Sequence, residues 1–322
     1  MSTEFNKETI ENCNIYCYIV NKITERKTRM NILITGGSGF LGRRVAASFA
    51  RQGYTVLTPS HAQMDITEPA MLNDWFSRNQ PRFVLHCAAV SDTGLCQKEP
   101  ERTARINVEG SVNLAAVCAR YGAKLIFCSS DQVYAGSSLP GPHREDHPLA
   151  PATAYAKQKL LAEQQCRALC PDTVILRLSW MYGVDSYPDE HGHLLKALCQ
   201  ALADPQLPLS WPLYDRRGIT NVEEVVRNLP AVLNFPASVY NFGAGNDRDT
   251  YHTVKEVLEQ LGLYAALERL EPNLQAFADA PRDIRMDGSL AKSLGVSFES
   301  TCDGLCRALC AVLPPEQQKS LP

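Results

Sequence analysis

Short apolar runs alternate with amphipathic segments from residue 31 to residue 178. The apolar runs have the length of strands, and the segments between them carry apolar residues at helical spacing. Strands buried on both faces are typical of a parallel sheet with helices on either side, connected by right-handed crossovers. The pattern therefore predicts an α/β protein with a doubly wound parallel sheet. Its predicted strands are residues 31–35, 54–58, 82–87, 124–128 and 173–178.

The clearest helical pattern begins at Ile106 and continues to Tyr121, and Gly122 supplies a stop signal. After Trp180 the alternation ends, and prolines at positions 188, 205, 208 and 212 predict a loop-rich stretch up to Asp215. A helix over 221–233, a strand over 239–242 and a helix over 250–261 follow.

The domain organisation follows from this change of pattern. We expect residues 30–180 to form a dinucleotide-binding domain, with the chain returning to its sheet around 215–245. Residues 181–214 and 246–313 are predicted to form a smaller C-terminal substrate-binding domain. Residues 1–29 are expected to be an extension outside the fold, and residues 314–322 a tail.

Charge and composition narrow the function classes. The 322 residues carry 32 basic and 35 acidic side chains, a net charge of -3, without a sustained basic run. This balance indicates neither a nucleic-acid partner nor a membrane surface. Charged residues throughout positions 1–29, and an apolar run at 15–20 too short to span a bilayer, argue against a signal peptide or an anchor. We expect a cytoplasmic protein.

The 12 cysteines are scattered through the chain rather than concentrated in a small scaffold. Cys302, Cys306 and Cys310 share a helical spacing, as do Cys166 and Cys170. Reduced thiols packed in the core are the favoured interpretation. Metal binding is the alternative, but histidines at ligand spacing are missing, so no metal site is predicted.

A glycine-rich segment, TGGSGFLG at 35–42, follows the first strand and opens a helix. Gly36 allows a tight turn, Gly39 leaves room for phosphate at the helix N-terminus, and Gly42 lets helix and strand pack closely. A turn without any ligand is the alternative. The residues expected to contact a dinucleotide here are Gly36, Ser38, Gly39, Phe40, Leu41, Gly42 and Arg43.

Tyr155 and Lys159 are four residues apart on a predicted helix after Pro151, so they share one face. Reduction of a ketone needs an acid that protonates the developing alkoxide, and a neighbouring cation makes tyrosine a better one. The hydroxyl residues Ser129 and Ser130 end the fourth strand. Ser130 is the preferred catalytic residue, and Ser129 is the structural alternative.

The TGxxGxxG spacing, HCAA at 86–89, NVEG at 107–110 and Asp65-Ile66 together resemble the extended short-chain dehydrogenase/reductase family. The resemblance implies a Rossmann fold, with Asp65 and Ile66 at the adenine, and with Ala88, Ala89 and Asn107 lining the cofactor site. It also implies that Lys159 and Tyr155 contact the nicotinamide ribose, while Ser130 orients the substrate carbonyl.

A closer resemblance, over residues 30–313, is to dTDP-4-dehydrorhamnose reductases and the related regulatory beta subunit of methionine adenosyltransferase. The segments that carry it include SSDQVY, YAKQKL, LRLSWMYG and APRDIRMDGSLAKSLG. It implies a keto nucleotide-sugar substrate bound by Ser91, Ser130, Gln132, Trp180 and Arg282. Two departures concern that substrate: Gln132 stands where the family commonly has an aromatic residue, and Pro281-Arg282 reverses the family's Arg-Pro order.

We therefore expect an NAD(P)-dependent reductase that transfers hydride to a carbonyl of a small nucleotide-sugar. A nucleotide-sugar epimerase or dehydratase remains an alternative, as does a non-catalytic NADP-binding regulatory subunit. NADP(H) is favoured over NAD(H) because residues 58–61 carry no acidic side chain at the end of the second strand. Arg43 and Arg44 are positioned to reach a 2′-phosphate. A homodimer is compatible with the sequence.

Overall fold

The computed structural model describes residues 30–184 and 194–313. At its centre lies a six-stranded parallel sheet with strand order β10-β5-β4-β3-β1-β2, so the predicted doubly wound α/β fold is confirmed. The strands of this sheet are β1 (Asn31–Thr35), β2 (Thr55–Leu57), β3 (Phe83–His86), β4 (Lys124–Ser130), β5 (Val174–Leu178) and β10 (Val239–Phe242).

Helices cover both faces of the sheet. The N-terminal part contains α1 (Phe40–Arg51), α2 (Pro69–Asn79), α3 (Thr93–Lys98), α4 (Pro100–Ala104), a π-helical turn (Arg105–Gly110), α5 (Ser111–Tyr121) and α6 (Ala154–Leu169). A 3₁₀ turn, Asp131–Tyr134, follows β4. As predicted, α5 ends at Gly122, which adopts the left-handed conformation at φ 68°.

Side-chain alternation in β1 explains how the sheet is covered. Ile32 and Ile34 belong to a core formed with α1 and with the later helix Val222–Val232, whereas Leu33 belongs to the core on the opposite face. Successive residues of a strand point to opposite faces, so a strand with helices on both sides is apolar throughout. Burial on both faces of the sheet is therefore why residues 32–34 form a continuous apolar run in the sequence.

The remaining strands are β6 (Trp180–Tyr182), β7 (Leu209–Pro212), β8 (Asp215–Arg216), β9 (Ile219–Asn221), β11 (Leu270–Asn273) and β12 (Arg282–Asp283). The remaining helices are α7 (Leu194–Ala203), α8 (Val222–Val232), α9 (Thr250–Gln260), α10 (Tyr264–Leu267), α11 (Ser289–Ser293) and α12 (Thr301–Val312). The chain returns to the sheet through α8 and β10, which pairs with β5.

A second, smaller core joins α7, α9 and α12. The prediction of a loop-rich stretch up to Asp215 was wrong for α7, whose Leu194, Leu195 and Leu198 are fully buried there. The prolines at 205, 208 and 212 lie beyond the end of α7 and do not interrupt it, while position 188 lies outside the described residues. Burial of the apolar face stabilises this short helix, and its partners are distant in sequence.

The two sets of helically spaced cysteines pack against apolar residues. Cys166 and Cys170 are buried beneath the sheet, and Cys302, Cys306 and Cys310 pack at the edge of the second core. Among residues 30–184 and 194–313, no group of three potential ligand side chains is arranged to hold a metal ion. No helix in the described part of the chain is long and apolar enough to cross a membrane.

Candidate active site

The glycine-rich loop between β1 and α1 leaves no room for a side chain at Gly36 or Gly42. Gly36 has a φ of 66°, and a Cβ there would lie 2.8 Å from the backbone nitrogen of Ala88. A Cβ on Gly42 would lie 2.1 Å from the carbonyl oxygen of Gly36. Gly39 caps α1 without a side-chain hydrogen bond. The close-packed backbone and the uncapped helix N-terminus fit the diphosphate of a dinucleotide.

The end of β3 forms the opposite wall of this loop. The Ala88 nitrogen donates to Thr35 Oγ1 at 3.2 Å. His86 lies between Thr35 Oγ1 at 2.7 Å and Ser111 Oγ at 2.8 Å. Burial, with a smaller contribution from the charge of Lys159, lowers the pKa of His86 to about 3. A neutral imidazole therefore holds this wall in place.

Four other predicted cofactor or substrate residues follow β2 and β3 in the chain. Ala89 is half-buried just beyond Ala88, and Ser91 is exposed on the following loop. Ile66 is buried against Gly110, where an added Cβ would lie 2.7 Å from the Ile66 side chain. The two hydrogen bonds from Thr67 hold the Asp65 carboxylate. Although burial acts to raise it, these bonds and nearby positive charges lower the pKa of Asp65.

Asn107 lies on the π-helical turn before α5. Its side chain is fully buried, with Oδ1 accepting from the Val90 nitrogen at 2.8 Å. Nδ2 donates to the Val90 oxygen at 3.0 Å and to Gln158 Oε1 at 2.8 Å. The amide thus joins the loop after β3 to α6. In this structure these partners occupy the amide, so Asn107 supports the loop that follows β3.

The structure brings Tyr155 and Lys159 together on the buried face of α6. Thr153 caps this helix by accepting from the Ala156 nitrogen at 3.2 Å. Lys159 Nζ donates to the carbonyl oxygen of Cys128 at 2.9 Å and lies 5.9 Å from the Tyr155 ring centroid. Burial lowers the pKa of Lys159. For Tyr155, burial and then the charge of Asp131 raise the pKa, while a hydrogen bond with Ser130 acts in the opposite direction.

The two serines at the end of β4 have different partners. Ser129 Oγ donates to Glu163 beneath the site, in a buried network with Arg177. Ser130 Oγ donates to Asp131 Oδ1 at 3.1 Å and accepts from the Gln132 nitrogen at 3.2 Å. Ser130 therefore lies beside Tyr155, and Ser129 belongs to the structural support of the site.

Two predicted substrate residues, 150 positions apart, meet at the mouth of the site. Arg282 Nη1 donates to Gln132 Oε1 at 3.4 Å. Arg282 Nε donates to Asp215 Oδ1 at 2.7 Å, and the guanidinium lies 4.0 Å from the Phe277 ring centroid. The Gln132 amide is thus held by an arginine rather than exposed as a free polar group.

Asp131 and Arg217 are functional candidates that the sequence reasoning missed. Arg217 Nη2 donates to Asp131 Oδ2 at 2.9 Å, and its guanidinium lies 5.0 Å from the Trp180 ring centroid. Burial raises the pKa of Asp131 despite the opposing charges of Arg217 and Arg282. The position of Asp131 next to Ser130 was an available signal. Nothing local in the sequence distinguishes Arg217.

Arg44 is not available for a 2′-phosphate, contrary to the expectation. It is buried in α1, where its guanidinium lies 4.3 Å from the Phe40 ring centroid and Nε lies 3.4 Å from a Glu223 carboxylate oxygen. The helix turns Arg44 toward α8 and the core. Arg43, on the adjacent helical position, is exposed.

Comparisons with known proteins show what the whole chain is similar to. A dTDP-4-dehydrorhamnose reductase from Streptomyces griseus is 36% identical over 152 residues, which cover 47% of this chain and 50% of that protein. Methionine adenosyltransferase 2 subunit beta from Xenopus laevis is 34% identical over 158 residues, 47% of each chain. The chain thus spans about half the length of both relatives.

Among solved structures, a dTDP-4-dehydrorhamnose reductase from Bacillus anthracis in complex with NADP superposes with a TM-score of 0.76. The alignment covers 88% of this chain and 99% of that one, at 21% identity, which shows a shared fold. The family model described as the RmlD substrate binding domain matches residues 30–299. With most of its length matched, the chain belongs to the RmlD substrate-binding-domain family.

Proposed function

We propose that this protein is an NADP(H)-dependent reductase that acts on a carbonyl group of a nucleotide-sugar. The observation that carries the proposal is the meeting of Ser130, Tyr155 and Lys159 at the end of β4, across from the glycine-rich loop of β1. A bound nicotinamide dinucleotide would supply the hydride. Its diphosphate would be held by Gly39 and the first turn of α1.

The three side chains have complementary roles in this proposal. Ser130 donates a hydrogen bond to the substrate carbonyl oxygen, for which it exchanges its contact with Asp131. Tyr155 is protonated at neutral pH like any tyrosine, and burial raises its pKa further. It donates its proton to the developing alkoxide, which is a stronger base than the phenolate. The ammonium of Lys159 stabilises the phenolate that remains.

The polar groups at the mouth of the site suit an anionic, hydroxyl-rich substrate. Arg282 and Arg217 present guanidinium groups beside Gln132 and Trp180. Planar guanidinium donors match phosphate oxygens, and aromatic rings match the faces of a base or a sugar. Arg217 Nε is buried without a hydrogen-bond partner in the described part of the structure, so it offers a donor to a ligand.

NADP(H) is preferred over NAD(H) on two features. Position 58 at the end of β2 carries a threonine whose side chain packs against Gly37, so no carboxylate holds a ribose hydroxyl there. Arg43 is exposed on the first turn of α1 and can pair with a 2′-phosphate.

The proposal is tested with the purified full chain, NADPH and a panel of 4-keto nucleotide-sugars, followed by the loss of the reduced nicotinamide absorbance. Tyr155→Phe removes only the transferable proton, so turnover should fall by about 100-fold or more while NADPH affinity is retained. Tyr240→Phe is the matched control, because its hydroxyl bonds the Pro236 oxygen away from the site. Equal turnover by Tyr155→Phe and the unmodified chain would remove Tyr155 from the mechanism.

A regulatory subunit is the second candidate, favoured by the similarity to methionine adenosyltransferase 2 subunit beta. In that case the chain would bind NADPH but reduce no member of the panel. An epimerase or dehydratase would instead convert its sugar without net consumption of NADPH. The same absorbance experiment, with analysis of the sugar products, separates the three activities.

A further inference from the structure

Two thiols face each other at the floor of the dinucleotide cleft. Cys87 directly follows β3, and the parallel register that pairs His86 with Phe127 places Cys87 opposite Cys128 of β4. Their sulfur atoms are 3.7 Å apart, and either can donate the hydrogen bond between them. Neighbouring strands are about 4.8 Å apart, which lies within the Cα separations that disulfides span.

The pair links the two halves of the candidate active site. Cys87 precedes Ala88, which packs against Gly36 of the glycine-rich loop. The carbonyl oxygen of Cys128 accepts the hydrogen bond of Lys159 Nζ. Cys128 is buried, whereas Cys87 retains partial exposure. Of the two residues, Cys87 is therefore the one that a small molecule would meet first.

We propose that Cys87 and Cys128 form a redox-active dithiol, which a peroxide converts to a disulfide. This disulfide weakens the binding of a dinucleotide, and a bound dinucleotide slows formation of the disulfide; this mutual effect is called the opposition below. The opposition rests on the proposed function, because it requires the dinucleotide to occupy the cleft. The formation of the disulfide depends only on the two thiols and the peroxide.

The chemistry balances without any further reactant. Loss of one proton from the pair leaves a thiolate, and the remaining proton lies between the sulfurs. The proton between the sulfurs moves to Cys128 as the Cys87 sulfur attacks one oxygen of hydrogen peroxide. The O–O bond breaks, and the departing hydroxide takes this proton from Cys128 to become water, which leaves a Cys128 thiolate. Cys128 sulfur then displaces the sulfenic hydroxyl as a second water. Two thiols are oxidised to one disulfide, and one peroxide is reduced to two waters.

The surroundings favour ionisation of Cys128, whereas the hydrogen bond with Cys128 and burial raise the pKa of Cys87. The hydrogen bond from Cys87, together with the charge of Lys159, lowers the pKa of Cys128 in spite of burial. Thiolates rather than thiols carry out both steps.

Closure of the disulfide would bring the sulfurs from 3.7 Å to about 2.0 Å and draw Cys87 toward β4. Ala88 and Gly36 are too tightly packed to absorb this movement without a shift of the loop. The oxidised protein should then bind the dinucleotide less tightly. By linkage, a bound dinucleotide should slow oxidation, and it also covers Cys87.

The first test is peptide mapping of the full chain after treatment with hydrogen peroxide, alkylation of free thiols and digestion with trypsin. Cys87 lies on the tryptic peptide 83–98 and Cys128 on the peptide 125–144. We expect these peptides to be joined in the oxidised protein and separated by a thiol reductant. Absence of the joined peptides, when peroxide has oxidised other thiols of the chain, overturns the dithiol.

Variants identify the sulfur atoms involved. Cys96 shares the peptide of Cys87 but donates to the Val90 oxygen, so Cys96→Ala is the matched control and should still cross-link. Cys87→Ala and Cys128→Ala should each abolish the cross-link. Its survival in either variant contradicts the assignment. If a variant fails to fold, fragmentation of the joined peptides from the unmodified chain locates the bridge instead.

The second test uses NADP⁺, which cannot reduce the disulfide. Saturating NADP⁺ should slow cross-linking by about tenfold, and the oxidised protein should bind NADP⁺ about tenfold more weakly, as is usual for linked sites. Cross-linking at an unchanged rate, with equal affinity in both forms, overturns the opposition. If the reduced protein does not bind NADP⁺ at all, the proposed function fails, while the peptide map still decides the dithiol.

Discussion

Removal of the Glu163 carboxylate should leave an unpaired positive charge buried beneath the candidate active site. Glu163 on α6 pairs with Arg177 on β5 through hydrogen bonds of 3.1 and 2.8 Å, and their side chains are only 4% and 3% exposed. Burial acts to lower the pKa of Arg177, but the bonds and charge of Glu163 outweigh it, so the pKa is raised. Glu163→Met removes the charge and keeps most of the side-chain length.

The expected magnitude follows from the burial of the pair. Breaking a buried ion pair by removing one partner costs about 3–5 kcal/mol, because the other charge stays in a medium that solvates it poorly. Arg177 retains its bonds to Tyr134 Oη at 2.7 Å and to the Glu145 oxygen at 3.3 Å, which should keep the loss near the lower limit. A total stability of about 5–15 kcal/mol is usual, so the effect is large.

The assay is a double-mutant cycle of urea unfolding, with fluorescence and circular dichroism required to give coincident transitions. Arg177→Met should cost a similar free energy of unfolding, since it leaves the carboxylate unpaired. The double variant Glu163→Met/Arg177→Met removes both charges of the pair and should be more stable than either single variant. Single variants within about 1 kcal/mol of the unmodified chain, or additive losses in the double variant, would refute the reasoning.

Three further outcomes are expected. Ser129→Ala should lower the free energy of unfolding by about 1–3 kcal/mol because its bond to Glu163 is lost, whereas Ser130→Ala should mainly lower kcat. If the two variants change stability and kcat equally, the structural role of Ser129 and the catalytic role of Ser130 are contradicted. The unmodified chain should reduce dTDP-4-dehydrorhamnose with a kcat/KM lower, by the equivalent of about 1–3 kcal/mol, than that of a reductase with an aromatic residue at position 132, and Gln132→Tyr should partly restore this kcat/KM. Efficient turnover by the unmodified chain argues against this prediction. His86 takes up a proton near pH 6.5 when unfolded but only near pH 3 when folded, so the free energy of unfolding should fall as the pH is lowered between these values. His86→Asn should reduce the slope of the unfolding free energy against pH by up to about 1.4 kcal/mol per pH unit, and an unchanged slope would show that another group causes the fall.

Local patterns were sufficient for much of the fold and for part of the site. Strand β1, the end of α5 at Gly122 and the helix α8 follow from apolar spacing and stop signals that lie within a few residues of each other. Tyr155 and Lys159 share a face because both lie on one helix, and the helix period alone dictates this. The glycine-rich loop could also be predicted from the sequence, since its strand, turn and helix are consecutive in the chain.

Tertiary structure decided whatever depends on partners distant in the chain. The meeting of Gln132 with Arg282, and of Asp131 with Arg217, requires β8 and β12 to pair and lie beside the turn after β4. The contact of Cys87 with Cys128 depends on the register of β3 and β4. Arg44 looked like a phosphate ligand by position, but packing turned it toward Glu223. Amino-acid spacing encodes the period of one helix or strand, whereas register and packing arise only when separate elements bury a common surface.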